Sequence, residues 1–366
     1  MKLRHLAILI SIFLAAWNLR AANLVDSTEF SRMSWVKQLM ASNFNVNAPG
    51  INYPKFARFC VNVYNWGDRT FNTYDTTYVE GTGKNWKAMI RSYNWITANE
   101  MFFSPREYLR IRSNIYSDLG AHLSFMAVSV GYTWDVNAIL GRESSLRRSF
   151  NFNFVCALFS AGINYNKTNG GTKITHFGSY DLDKWLDYKF DNISQETLGG
   201  NIYYFFNHRK YSQGAAYNFS KYQLKSAGSW MIGLSYNYQR ISMDFSDLPS
   251  EMIESMPSLL QNYNFRYTDY DVIGGYGYNW VLKPKVWLMN LTVLPSIGYK
   301  HCFEGTTDGK KDMFSGNILV RGSVVFNHRS LFAGTIANYE GHSYLAKGFS
   351  FFNNIPSVSV VAGVRF

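Results

Sequence analysis

The sequence predicts an all-β protein, a transmembrane antiparallel up-and-down β-barrel of about twelve strands. Three features carry this: alternating segments of ten or more residues, an export segment at the amino end, and a final strand closing on an aromatic residue. Composition agrees with them. Aromatic residues make up 17% of the 366 residues, charged residues another 17%, and prolines number only 8, a balance that excludes a disordered chain. Mean hydropathy is −0.18, and after residue 17 no stretch approaches the roughly 18 consecutive apolar residues of a membrane helix. A helical membrane protein is therefore excluded, and the apolar residues must be interleaved with polar ones.

Residues 1–22 combine a basic start (Lys2, Arg4, His5), an apolar run over 6–17 and the small residues Ala21 and Ala22. This is the pattern of a signal peptide. No cysteine follows the small residues, which argues against lipoprotein processing. Cleavage would remove Lys2, Arg4 and Arg20 and lower the net charge from +11 to +8. An exported, moderately basic chain favours anionic partners such as lipid headgroups or acidic solutes, and nucleic acid is not expected. Cys60, Cys156 and Cys302 are too few and too widely spaced for a disulfide framework or a metal knuckle. They read as packing residues, with a Cys156–Cys302 pair left open because both fall in expected strands.

Residues 23–85 form an N-terminal periplasmic extension or plug. A short amphipathic helix is expected over 30–40, followed by a segment rich in Asn, Tyr, Gly and Thr. Its aromatic residues, among them Tyr53, Phe56, Phe59, Tyr64, Trp66, Phe71, Tyr74 and Tyr78, suit a cap on the periplasmic mouth, an inserted plug or a docking segment.

Residues 86–366 form the barrel. In 314–327, Phe314, Gly316, Ile318, Val320, Gly322, Val324 and Phe326 share one face, opposite Ser315, Asn317, Arg321, Ser323 and Asn327. In 229–239, Trp230, Ile232, Leu234, Tyr236 and Tyr238 oppose Ser229, Gly233, Ser235, Asn237 and Gln239. Phe150, Phe152 and Phe154 alternate with polar residues, and Trp287, Met289, Leu291 and Val293 oppose Asn290 and Thr292. Soluble strands alternate too but are mostly about 5–6 residues long, whereas a tilted membrane strand needs about 9–11. Aromatics at segment ends, as in Tyr276, Tyr278, Trp280 and Trp287, fit interfacial girdles.

The strands expected lie near 86–97, 106–116, 119–135, 149–165, 171–181, 196–207, 210–222, 229–243, 263–282, 285–302, 314–327, 330–342 and 356–366. A bacterial barrel needs an even count, so one of these thirteen is in excess. Tight turns at 206–209, 283–285 and 326–329 contrast with long loops at 244–262, 303–312 and 340–354, the asymmetry of outer-membrane barrels. The loop over 244–261 mixes acids with Met252, Ile253, Met256, Leu259 and Leu260, which predicts a surface helix that binds a partner or covers the external opening.

At the carboxyl end Val358, Val360, Ala362, Val364 and Phe366 share one face. This strand resembles the assembly signal of bacterial outer-membrane barrels, with Val364 and Phe366 as its marks. The location implied is the bacterial outer membrane, and the partners implied are the barrel-assembly machinery and outer-membrane lipids. Trp66-Gly67-Asp68, Tyr74-Asp75-Thr76, Gly81-Thr82-Gly83-Lys84-Asn85-Trp86, Phe206-Asn207-His208-Arg209-Lys210-Tyr211-Ser212 and Lys225-Ser226-Ala227-Gly228-Ser229 give a second likeness. Through them the mature chain resembles a Bacteroidota outer-membrane barrel family known only as a domain of unknown function. That likeness implies location and architecture, and no activity.

Four patterns in the sequence bear on chemistry. Gly81-Thr82-Gly83-Lys84 has Tyr78 and Asn85 where a phosphate-binding loop needs Gly and a hydroxyl residue, so a turn is expected. The seven histidines show no metal-ligand spacing, and neither metal nor cofactor is expected. A lipid hydrolase would need a His and Ser sharing a strand face. His208 with Ser212, Ser226 and Ser229 are the residues to test for that alternative, although His208 and Ser212 would straddle a turn. Finally, Arg110 and Arg112 alternate with Leu109 and Ile111, and with Lys300, Arg321 and Arg365 they are expected to face the lumen. Basic rings favour anions, so the expected function is a narrow or gated channel for small polar or anionic solutes. The alternatives are a lipid-modifying barrel enzyme and a closed structural or docking barrel with a periplasmic or surface partner.

Overall fold

The computed structural model describes residues 27–366 apart from 43–44, 85, 105–106, 126–127, 140–145, 182–184, 308–310 and 346–347. The signal peptide expected over 1–22 lies outside the described residues. The chain opens with helices α1 (Ser27–Arg32), α2 (Trp35–Ala41) and α3 (Lys55–Phe71) and the short strand β1 (Val79–Gly81). The helix expected over 30–40 is thus two helices broken at Met33 and Ser34, and the longer α3 falls where no helix was expected.

The wall begins with β2 (Trp86–Trp95), β3 (Ala98–Ser104), β4 (Glu107–Ser113), β5 (Tyr116–Phe125) and β6 (Val128–Asp135). Helix α4 (Val136–Ile139) leads to β7 (Leu146–Val155), β8 (Phe159–Asn169), β9 (Thr172–Phe177), β10 (Tyr188–Phe190) and β11 (Ile193–Phe205). Helix α5 (Gln213–Tyr217) and β12 (Lys221–Gln223) precede β13 (Ala227–Asp244). After helix α6 (Ser250–Glu254) come β14 (Asn262–Lys283), β15 (Trp287–Cys302), β16 (Asp312–His328), β17 (Leu331–Leu345) and β18 (Ser350–Arg365).

All pairings among these strands are antiparallel, and they return on themselves. Consecutive hairpins run from β13 to β18. The last strand then meets the first: β18 pairs with β2 from Arg365↔Lys87 to Ser357↔Trp95, and with β3 from Asn354↔Ala98 to Ser350↔Phe102. On the other flank β13 pairs with β11 and β11 with β8. The chain leaves β8 through Gly170 and Gly171 and enters β9, which pairs with β10 on one edge and with β4 on the other. Because β4 pairs with β3, the circuit is complete. Gly170 and Gly171 hold φ of +63° and +69°. Two successive left-handed residues are inexpensive only for glycine, and they turn the strand from one neighbour to the other.

Strands β6 and β7 wedge into this circuit, β6 on β5 and β7 on β8. Among the described residues no ladder joins β6 to β7. One end of the wall carries the tight turns at 156–158, 284–286 and 329–330 together with Phe366; we call it the turn end. The loop end carries the connections over 178–187, 245–261 and 303–311.

The alternation read from the sequence holds through the lower wall. Trp287, Met289, Leu291, Val293, Ile297 and Tyr299 are exposed on β15, while Leu288, Asn290, Thr292, Leu294, Ser296 and Lys300 are buried inside. On β18, Val358 and Val360 point out, whereas Ser357, Ser359, Val361 and Arg365 point in. The strand expected over 210–222 is absent from the wall. Those residues pass inside it, as α5 and β12, and the alternation of Tyr211, Gln213, Ala215 and Tyr217 arises in a segment buried on every side. The stretch over 119–135 is a hairpin, and β18 begins six residues before the expected 356.

Candidate functional site

The wall curls round a concave inner face, and its lining decides what that space can hold. Three layers fill it. At the loop end the inward residues are apolar: Met101, Leu109, Ile111, Ile174, Phe177, Phe265 and Phe351 gather around Met252 and Met256 of the α6 connection. Both methionines are fully buried, and Phe265 stacks on Phe351 at 4.8 Å. The 245–261 connection, expected as a surface helix, instead turns Met252 and Met256 inward and fills this layer as a stopper.

Polarity outside this layer is reversed as well. Arg110 and Arg112 were expected in the lumen, but Leu109 and Ile111 occupy the inward positions, and both arginines point outward. Arg110 pairs there with Glu100 at 2.8 Å, beside Lys173–Asp187 at 2.7 Å. An apolar stopper needs apolar neighbours, which fixes the phase of β4.

The middle layer is polar. Lys300 and Asp269, both fully buried, form an ion pair at 2.9 Å, with Lys300 also over the Tyr267 ring at 3.8 Å. Asn317 donates to Asp271 at 2.6 Å. Several bonds cross the lumen between strands that are not neighbours: Gln195 to Asn99 at 3.1 Å, Gln239 to Asn353 at 3.0 Å, and Arg321 to Tyr203 at 3.5 Å. These bonds tie facing parts of the wall to one another at that height.

The third layer is the segment 206–226, which enters from the turn end. Ala215, Ala216, Tyr217 and Phe219 pack on Leu288, Val325, Phe332, Ile336 and Val361. Ser212 caps α5 by accepting from the Ala215 amide. Small wall residues make room for it. A β-carbon on Gly277 would stand 2.7 Å from the Tyr211 hydroxyl, and one on Gly334 would stand 2.7 Å from the Phe219 ring. Polar bonds then hold it in place. Asn279 donates to Ser212 O at 3.0 Å and to Gln223 at 2.9 Å, and Asn290 donates to the Tyr211 hydroxyl at 3.1 Å.

Wall cations close the same layer. Lys87 donates to Asn218 O at 2.6 Å; Arg365 donates to Phe219 O at 2.8 Å and to Asn327 at 2.7 Å. The predicted Arg365 is thus inward, yet its donors hold the inserted segment. Arg321 lies 4.2 Å over the Tyr217 ring and donates to Asn338 at 3.2 Å. Sequence reasoning missed Lys87 and Arg91 on the inward face and missed the insertion. Its signal was a connection of more than twenty residues on the side where every other turn is tight.

Residues 71–84 tie this layer down from outside. β1 pairs with β12, Asp75 N donates to Arg209 O at 2.9 Å, and Lys285 pairs with Glu80 at 2.7 Å. Lys221 sits 5.5 Å over the Tyr74 ring and Lys210 5.0 Å over that of Tyr78. Burial pushes the Tyr74 phenol up to about 12 and pushes the Lys221 ammonium down, so both sit in a region shielded from water.

The hydrolase candidates do not converge. His208 meets Tyr204 at 3.3 Å, Ser229 takes the Asn207 amide at 2.9 Å, and Ser226 takes the Val281 amide at 2.9 Å. Ser212 is a helix cap, Ser226 lies just before β13 and Ser229 stands on that strand. The three cysteines are free: Cys156 and Cys302 are buried, whereas Cys60, read as a packing residue, is exposed. Val364 pairs with Leu331 and Ala88, and Phe366 exchanges backbone bonds with Trp86 at 3.0 and 3.1 Å, so both sit on the closing seam.

The chain belongs to the family described as Domain of unknown function (DUF4421), whose model matches residues 73–366. No curated protein matches it. Among solved structures it is similar to the outer-membrane protease OmpT of Escherichia coli, at 9% identity and a TM-score of 0.34, over 77% of this chain and 97% of that one. It is also similar to the toluene transporter TodX of Pseudomonas putida, at 7% identity and a TM-score of 0.25, over 80% and 97%. A third is the transport unit of the autotransporter AIDA-I from Escherichia coli, at 9% identity and a TM-score of 0.24, over 76% and 90%.

Proposed function

We propose that this DUF4421 chain is an outer-membrane β-barrel of about twelve strands, closed at rest, that serves as a structural or docking barrel holding its N-terminal segment on the periplasmic side. Counting β2 with β3, β4 with β5, β8 with β9 and β10 with β11 as single strands gives twelve at the turn end and ten at the loop end. The exposed band from Trp287 to Tyr299 on β15 rises about 40 Å along the strand, or about 30 Å when tilted by about 40°, which suits the roughly 25 Å apolar band and its aromatic girdles. The observation that carries the closed reading is the buried apolar layer around Met252 and Met256, because an ion would have to leave water to cross it.

A second reading, a gated anion channel, is favoured by the inward cations Lys87, Arg91, Lys300, Arg321 and Arg365, which stand on the same face as the acids Asp118, Asp269, Asp271 and Glu340. The refolded mature protein in a planar bilayer under asymmetric salt decides between the two. Silence of a correctly folded barrel is expected; discrete anion-selective steps in the unmodified protein would overturn the closed reading in favour of the channel.

A further inference from the structure

Helix α3 runs for 17 residues and buries none of them. Phe56 is 79% exposed, Phe59 63% and Trp66 62%, with Val63 and Cys60 on the same side. They recur at three- and four-residue spacing, which places them in one stripe. In water such a stripe would turn toward the protein. Here the opposite side does so: Asn65 exchanges bonds with Asn47 at 2.8 and 3.2 Å. The helix carries Lys55, Arg58 and Arg69 against the single acid Asp68.

Its position gives the stripe a neighbour. The Phe71 carbonyl accepts from Ala157 at 3.0 Å and Leu158 at 3.3 Å, pinning the end of α3 to the β7–β8 turn. From there a chain of rings leads onto the outer wall: Trp66 on Phe71 at 5.6 Å, Phe71 on Phe159 at 5.8 Å, and Phe159 on Phe154 at 5.6 Å. Phe150, Phe152 and Ile163, all exposed, continue it along β7 and β8.

We propose that α3 is an interfacial membrane helix, seated with Phe56, Phe59, Val63 and Trp66 in the phospholipid surface that surrounds the turn end. The proposal rests on the membrane reading of the barrel. Cations beside an apolar stripe match anionic headgroups, and an aromatic face continuous with the lipid-facing wall extends that contact around the rim. The helix then sets the height of residues 71–84, which hold the inserted segment.

Cys60 provides the probe, since the other two cysteines are buried. An environment-sensitive fluorophore on Cys60 of the full mature chain is read in vesicles of phosphatidylethanolamine and phosphatidylglycerol that contain a spin-labelled lipid. A parallel sample carries the label at Leu291→Cys in a Cys60→Ser background, on the outer wall. Quenching by spin-labelled lipid at both positions, with Cys60 shielded from aqueous iodide, is expected. Phe56→Glu with Phe59→Glu should shift the seated-to-free ratio by roughly a hundredfold, the equivalent of two buried rings, and restore iodide access at Cys60. A Cys60 label open to iodide and untouched by lipid, with Leu291→Cys quenched, would overturn the helix proposal and leave the barrel standing. Absence of lipid quenching at both positions would overturn the membrane reading and the proposal together.

Discussion

The two ends of the wall obey opposite polarity rules, as β15 and β4 show. At the turn end β15 shows Met289 and Leu291 outside and Asn290 and Thr292 inside; at the loop end β4 shows Arg110 and Arg112 outside and Leu109 and Ile111 inside. Both ends are built of antiparallel ladders. What differs is the medium on each side: a layer of aromatic and aliphatic side chains fills the loop end, while hydrogen-bonded amides and wall cations receive the inserted segment at the other. A period of two reports that a strand separates two environments, and it does not say which environment is inside.

The comparison can be broken by opening the loop end. Met252→Ala with Met256→Ala removes two fully buried side chains and should cost about 5 kcal/mol, read as a lowered denaturant midpoint for the refolded protein; a loss under about 1 kcal/mol would mean that the stopper is not packed there. Next in size is Asp269→Ala. It leaves Lys300 buried without its partner, for an expected loss of about 3 kcal/mol, and Lys300→Met in the same chain should recover part of it.

At the turn end, Gly277→Val places atoms against the Tyr211 hydroxyl. A loss of about 2 kcal/mol is expected, with new protease cleavage within 206–226; an unchanged digest would show that the segment is not held by the wall. A pH titration sharpens the same point. Burial raises the Tyr74 phenol from 10.0 to about 12, so the folded state binds its proton more tightly than the unfolded one. Its contribution is full below pH 10 and is lost as pH rises through about 12. Protection of residues 71–84 should follow that curve, and Tyr74→Phe should flatten it. The smallest effect belongs to Arg110→Gln, whose pair with Glu100 is partly exposed: at most about 0.5 kcal/mol.

Much of the wall was legible. The faces of β13, β15, β16 and β18 follow from alternation because apolar side chains recur at every second position on one side of each. Arg110 and Arg112 were misplaced for the reason just given, since β4 lies wholly in the inverted end. The 206–226 insertion was hidden because Tyr211, Gln213, Ala215 and Tyr217 alternate like a strand although all are buried. Helix α3 escaped notice because its 3.6-residue stripe is interrupted by Asn62, Asn65 and Gly67, which lower helix propensity. Lys300 meets Asp269 and Arg321 meets the Tyr217 ring, partners of which the sequence carries no sign.

The forked partnership of β18 has a kinetic consequence. Its first part pairs with β3 and its second with β2, and the Asn353–Asn99 bond joins residues 254 positions apart. The ring therefore shuts late in folding, after long-range contacts that are slow to form. The 206–226 segment belongs to the middle of the chain and is enclosed by strands on both sides of it in sequence. Its bonds to Asn279, Asn290 and Arg365 therefore form only after those later strands have assembled, so the segment settles behind the wall that holds it.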